Sequence, residues 1–120
     1  MIININTNER VFFRQALEII RHLPPLDALR TGELDVLGEF MYFNHKFSHI
    51  EESLRGRLLF DYDTKQSIAD NLNIKSSNLD NIITALRKKN IITRRADINT
   101  YGIKINSPDI LFKFNIEKNA

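Results

Sequence analysis

Residues 63–90, DTKQSIADNLNIKSSNLDNIITALRKKN, carry two apolar stripes at helical spacing, each followed by an asparagine at the point where a helix has to stop. Ile68, Ala69 and Leu72 make the first stripe, and Leu79, Ile82, Ile83 and Leu86 the second. Asn73 lies in the turn between them and Asn90 just after the second. Both places call for a left-handed backbone, which asparagine adopts more readily than any residue except glycine. The pattern therefore predicts two short helices punctuated as a compact pair. The first is expected to be capped by Asp63 or Thr64. The second is expected to begin at Ser76 or Ser77, with Ser77 and Asp80 resembling a capping box that has a shorter acid.

Upstream, MIININTN alternates Ile3 and Ile5 with Asn4 and Asn6, as a short strand or extended arm would. From Glu9 to about His22, Val11/Phe12, Gln15/Ala16 and Ile19/Ile20 recur at helical spacing until Pro24-Pro25 forbids continuation. Thr31 can cap a further helix, with Leu34, Leu37, Phe40 or Met41, and Phe47 on one side and an end near Phe47 to His49. EESLRGRLLFDYD permits a short helical turn before Gly56 and an extended LLF after it, and the structure of residues 50–62 stays open. Downstream, IITRR, the polar tip ADINT and YGIKI predict a β-hairpin, and alternation of Phe112, Phe114 and Ile116 with Lys113, Asn115 and Glu117 predicts a last strand.

The second helix of the pair has two faces. At about 100° per residue its apolar residues share one sector, and Ser77, Asn81, Thr84 and Lys88 fall together opposite them. Short hydrogen-bonding side chains ending in a cation suit a helix laid in a major groove. Asparagine can bond an adenine edge with both amide atoms, serine and threonine bond bases or phosphates, and lysine meets the backbone. Charge is distributed accordingly. Residues 1–60 hold seven Lys and Arg against eight Asp and Glu, whereas residues 61–120 hold ten against seven. Arg87, Lys88, Lys89, Arg94 and Arg95 fall within nine residues that contain no acid. Such a cluster is the footprint of a nucleic-acid binder, although cations also collect at helix C-termini to oppose the dipole.

Helix, tight turn, helix and hairpin follow one another as in the winged helix-turn-helix family, and SIADNLNIKSSNLDNIITALRKKNII resembles the pattern of MarR-like regulators and of plasmid and phage replication or transcription factors. RTGELDVLGEF is similar to the helix that opens that fold, so the resemblance covers residues 30–106. It implies an α+β, mainly α domain spanning 1–120. Residues 1–29 would form an N-terminal arm and extra helix, 30–106 the winged core, and 107–120 a strand-like extension. It implies double-stranded DNA as partner, with Ser76, Ser77, Asn78, Asn81, Thr84, Arg87 and Lys88 on the recognition helix, and Arg94, Arg95 and Lys104 on a wing at 91–105. Two departures stand out. The wing tip Asp97-Ile98-Asn99 has the family's acid without its minor-groove arginine, and no C-terminal helix completes the usual dimer. Dimerisation through Phe12, Phe13 and Leu17, or through the Phe112/Phe114 strand, or membership of a larger assembly, is the corresponding expectation.

Other chemistries find little support. The chain has no cysteine, which excludes thiol nucleophiles and thiolate metal sites. His45 and His49 are four apart but lack an HExxH arrangement, and Asp61 and Asp63, two apart in an extended segment, point to opposite faces. Four glycines do not assemble a phosphate-cradling loop. No enzyme activity, metal or cofactor is expected, nor any membrane segment, since no apolar run nears the roughly 20 residues a span needs. A cytoplasmic regulator of transcription or replication is the expected function. The alternative is a winged-helix module docking on a polymerase, replisome or virion complex.

Overall fold

Asn8 ends a strand and starts a helix: its side-chain oxygen accepts the Val11 amide at 3.1 Å, satisfying one of the free donors of a first helical turn. The computed structural model describes residues 2–24, 26–92 and 111–117. Over these the protein is α+β and mainly α, in the order β1 (Ile2–Asn8), α1 (Glu9–Ile20), a 3-10 turn (Leu26–Ala28), α2 (Thr31–Lys46), α3 (Glu52–Leu59), α4 (Tyr62–Leu72), α5 (Ser76–Lys88) and β2 (Leu111–Glu117). The hairpin and wing expected between Ile92 and Leu111, with Arg94, Arg95 and Lys104, lie outside the described residues.

The core gathers around α2. Leu34, Val36, Leu37, Phe40 and Phe43 are buried on it, and Leu17 of α1, Ile68 and Ala69 of α4, and Leu79, Ile83 and Leu86 of α5 close over them. Burial of one such side chain contributes roughly 1.5–3 kcal/mol, so α2 is the element through which the others are held together. Gly38 sets how near α1 comes, because a Cβ there would stand 3.1 Å from the Arg14 Cα. The same crossing is tied by Arg14 to Asp35 at 2.6 Å and by Arg10 to Glu39 at 2.7 Å. The Glu39 Oε1 also accepts from the Asn71 amide at 2.7 Å, so one buried carboxylate joins α1, α2 and α4.

Several local expectations are corrected. Thr31 is the first residue of α2 and Arg30 its cap, with the Arg30 amide donating to Glu33 Oε1 at 2.9 Å. Asp61 caps α4 by accepting from the Asp63 amide at 2.8 Å, in place of Asp63 or Thr64. Thr64 is buried and its hydroxyl donates backward to the Leu58 carbonyl at 2.6 Å. Ser77 and Asp80 form no capping box; α5 starts from Lys75 without a side-chain cap. In the stretch 50–62 that the sequence leaves open, Leu58 and Leu59 finish α3, with Leu59 in the core and the Phe60 ring tilted against Phe40 at 5.2 Å.

β1 and β2 pair in parallel, with Ile3 opposite Phe112 and Ile5 opposite Phe114. The C-terminal strand therefore returns to the N-terminal arm, and one side of its backbone is taken by β1. Leu17 is 1% exposed against the core, which removes it from the expected dimer surface of α1. No described helix is long and apolar enough to cross a membrane.

Candidate nucleic-acid interface

The turn between α4 and α5 decides how α5 is presented. Asn73 adopts φ 55° and ψ 49°, its amide donates to the Asp70 carbonyl at 3.2 Å, and the Ile74 amide reaches back five residues to the Ala69 carbonyl at 3.0 Å. This is a Schellman closure, in which a left-handed residue lets the chain satisfy the last free carbonyls of a helix. The same device ends α5, where Asn90 has φ 59° and the Ile91 amide donates to the Leu86 carbonyl at 3.0 Å. Ile74 packs against the core and Ile91 lies within it, the apolar contact that accompanies such a closure. Both asparagines thus have the role their positions in the sequence suggest.

With its ends fixed, α5 buries Leu79, Ile83 and Leu86 and half-buries Ile82. Ser77, Asn81, Thr84 and Lys88 are all exposed, and helical geometry places them in a sector about 60° wide opposite that stripe. Among the described residues no side chain or backbone group bonds the side chains of Ser77, Asn81 or Lys88. Thr84 donates its hydroxyl to the Asp80 carbonyl at 2.9 Å, which leaves only its acceptor capacity for a ligand.

The other expected residues of α5 are exposed but lie off this face. Ser76 borders a hollow of about 300 Å³ between α4 and α5, shared with Tyr62, Lys65, Gln66, Leu79 and Asp80. Arg87 turns toward α3, with its guanidinium 4.8 Å from the centre of the Phe60 ring. Asn78 falls on the opposite flank, toward the side from which Lys89 reaches the start of α2.

Lys89 changes the electrostatics most. Its ammonium donates to both Glu33 oxygens, at 2.8 and 3.0 Å, and to the Ala28 carbonyl at 3.0 Å. Burial opposes ionisation of Glu33, but hydrogen bonds from Lys89 and from the Arg30 amide outweigh it and hold this carboxyl below its ordinary range. Lys89 therefore belongs to a structural tie between α5 and α2, and the basic cluster loses one of its five members. Sequence patterning missed this pair because its partners are 56 residues apart.

Two flanking groups also escaped the sequence reading. Tyr62 opens α4 and is 76% exposed, and Lys65 bonds Asp80 across the two helices at 2.9 Å. The histidines take other roles. His49 lies beyond the end of α2 and shares no helix face with His45, whose Nε2 is 3.5 Å from Glu9 Oε1. No family model, characterised protein or solved structure matches the chain.

Proposed function

We propose that the protein is a double-stranded DNA-binding regulator of transcription or replication, built as a winged helix-turn-helix with α4 as supporting helix and α5 as recognition helix. The observation that carries this reading is the outer face of α5. Four exposed residues, Ser77, Asn81, Thr84 and Lys88, share one sector of a helix whose opposite face and both ends are fixed. Short polar side chains allow the helix axis close to base edges, and the cation sits where the helix would leave the groove. The backbone contacts assigned to residues 91–105 through Arg94, Arg95 and Lys104 are part of the proposal on charge alone.

Selection from a random duplex library at two salt concentrations tests the proposal. An enriched sequence whose affinity falls with salt supports it; no retained duplex at low salt rejects it. Within an enriched site, Asn81→Ala should lower specific affinity by about 1–3 kcal/mol with nonspecific binding little changed, because it removes a base contact. Lys88→Ala should weaken specific and nonspecific binding alike, as loss of a phosphate contact does.

A further inference from the structure

Asp80 is the only acid in α5, and neither of the ordinary uses of an acid near a helix start accounts for it. It stands fifth in the helix, beyond the first turn in which a carboxylate offsets the dipole, and it caps nothing. Its ion pair with Lys65 is open to solvent, with the Asp80 side chain 58% exposed, and such pairs contribute little to stability. Only Oδ1 meets the lysine; among the described residues Oδ2 has no partner. On a helix approaching a polyanion, an exposed acid is costly unless it meets a donor.

Helical geometry puts Asp80 about 40° beyond Thr84, at the margin of the outer face and at the rim of the hollow under Tyr62. In a major groove the donors on base edges are the cytosine N4 and adenine N6 amino groups. Adenine presents the N7 acceptor beside its donor, which repels a carboxylate, whereas the cytosine amino group has no acceptor on its outer side. Guanine and thymine oppose it with acceptors. Lys65, anchored on α4, limits the rotamers of the carboxylate and lowers its repulsion from nearby phosphates.

We infer that Asp80 is a specificity-determining residue that selects cytosine at one position of the duplex site, with Lys65 as the positioning residue that holds its carboxylate. The inference rests on the proposed groove contact of α5 and adds a base identity to it. The same library selection is repeated with Asp80→Asn, Asp80→Ala and Lys65→Met, each checked for folding by thermal melting. Wild type should prefer cytosine at one position by roughly tenfold. Asp80→Ala should flatten that position alone, and Asp80→Asn, which keeps an acceptor toward Lys65, should move it toward adenine. Replacing that cytosine with 2-pyrimidinone, which lacks the 4-amino group, should weaken wild type and leave Asp80→Ala unchanged.

Lys65→Met should reduce the preference without abolishing binding, and an unchanged ratio would remove its positioning role. An unaltered preference at every position in folded Asp80→Ala would overturn the assignment while leaving the DNA reading intact. Failure of wild type to enrich any duplex would sink both.

Discussion

Glu33→Gln isolates the tie between α5 and α2. The side chain is 7% exposed, its Oε1 accepts from the Arg30 amide and Lys89, and its Oε2 accepts from Lys89 alone. Glutamine preserves the shape and the Oε1 acceptor, so the α2 cap survives, but it loses the charge and puts an amide donor opposite the ammonium. A hydrogen bond to a charged group contributes about 1.5–3 kcal/mol. Lys89 is 35% exposed and keeps the Ala28 carbonyl, which places the loss at the lower end, about 1.5 kcal/mol. In urea this should lower the unfolding midpoint by about 0.5–1.5 M. The sign of the pH dependence follows from the depressed carboxyl. The unfolded chain binds the proton more readily than the folded one, so the contribution is full above the ordinary glutamate value of about 4.3 and is lost as pH falls through the lower folded value. The gap between wild type and variant should therefore be open at about pH 7 and should narrow toward pH 3. An equal gap at both would refute the ion pair as its source.

Two further outcomes test the presentation of α5. Leu86 is fully buried, so Leu86→Ala should cost about 2–5 kcal/mol in a denaturant titration, and a cost near zero would mean that the helix is rotated and its outer face misassigned. Asn73→Ala should destabilise by about 1–2 kcal/mol while Asn73→Gly should be neutral or slightly stabilising, since the residue holds a left-handed backbone; equal melting temperatures for the two variants would contradict that geometry.

The α4–turn–α5 unit was legible because each of its determinants is local. The apolar stripe repeats within one helix, and a left-handed asparagine at its end needs no distant partner to be recognised. The strands at either end of the chain were each readable from alternation, but not their pairing, because parallel strands require a crossover and here nearly the whole chain forms it. Asp63 and Thr64 stand closer to the apolar stripe than Asp61 does, but the helix starts at Tyr62, two residues before the start a cap at Asp63 implies, and this moves the cap to Asp61. α3 was hidden by Gly56, whose low helix propensity is overridden when Leu59 enters the core and Arg55 bonds the Ser48 and Ile50 carbonyls. The candidate face itself was fixed by periodicity, whereas its flanks were not. Periodicity cannot tell that Arg87 lies over Phe60 or that Lys89 is spent on Glu33.

α5 is held along its apolar floor on α2, at its C-terminal end by Lys89 on Glu33, and at its N-terminal end by the Asn73 turn, whereas the exposed Asp80–Lys65 pair adds little. α4 is in turn tied to Glu39 through Asn71. A helix restrained at both ends and along its floor loses little backbone freedom when a ligand meets its outer face. What remains to be ordered is the set of side chains on that face, and Ser77, Asn81 and Thr84 have few rotatable bonds to fix; only Lys88 carries a large rotamer entropy. The ordering cost of the proposed docking thus falls mostly on one residue at the edge of the face, where the proposed phosphate contact would tolerate several geometries. The backbone that carries the other three is already fixed, and only the Thr84 hydroxyl among their side chains is tied down, to the Asp80 carbonyl. A fixed backbone under short side chains suits a rigid partner better than a soft one, and this is the physical ground on which the proposal of a duplex partner rests.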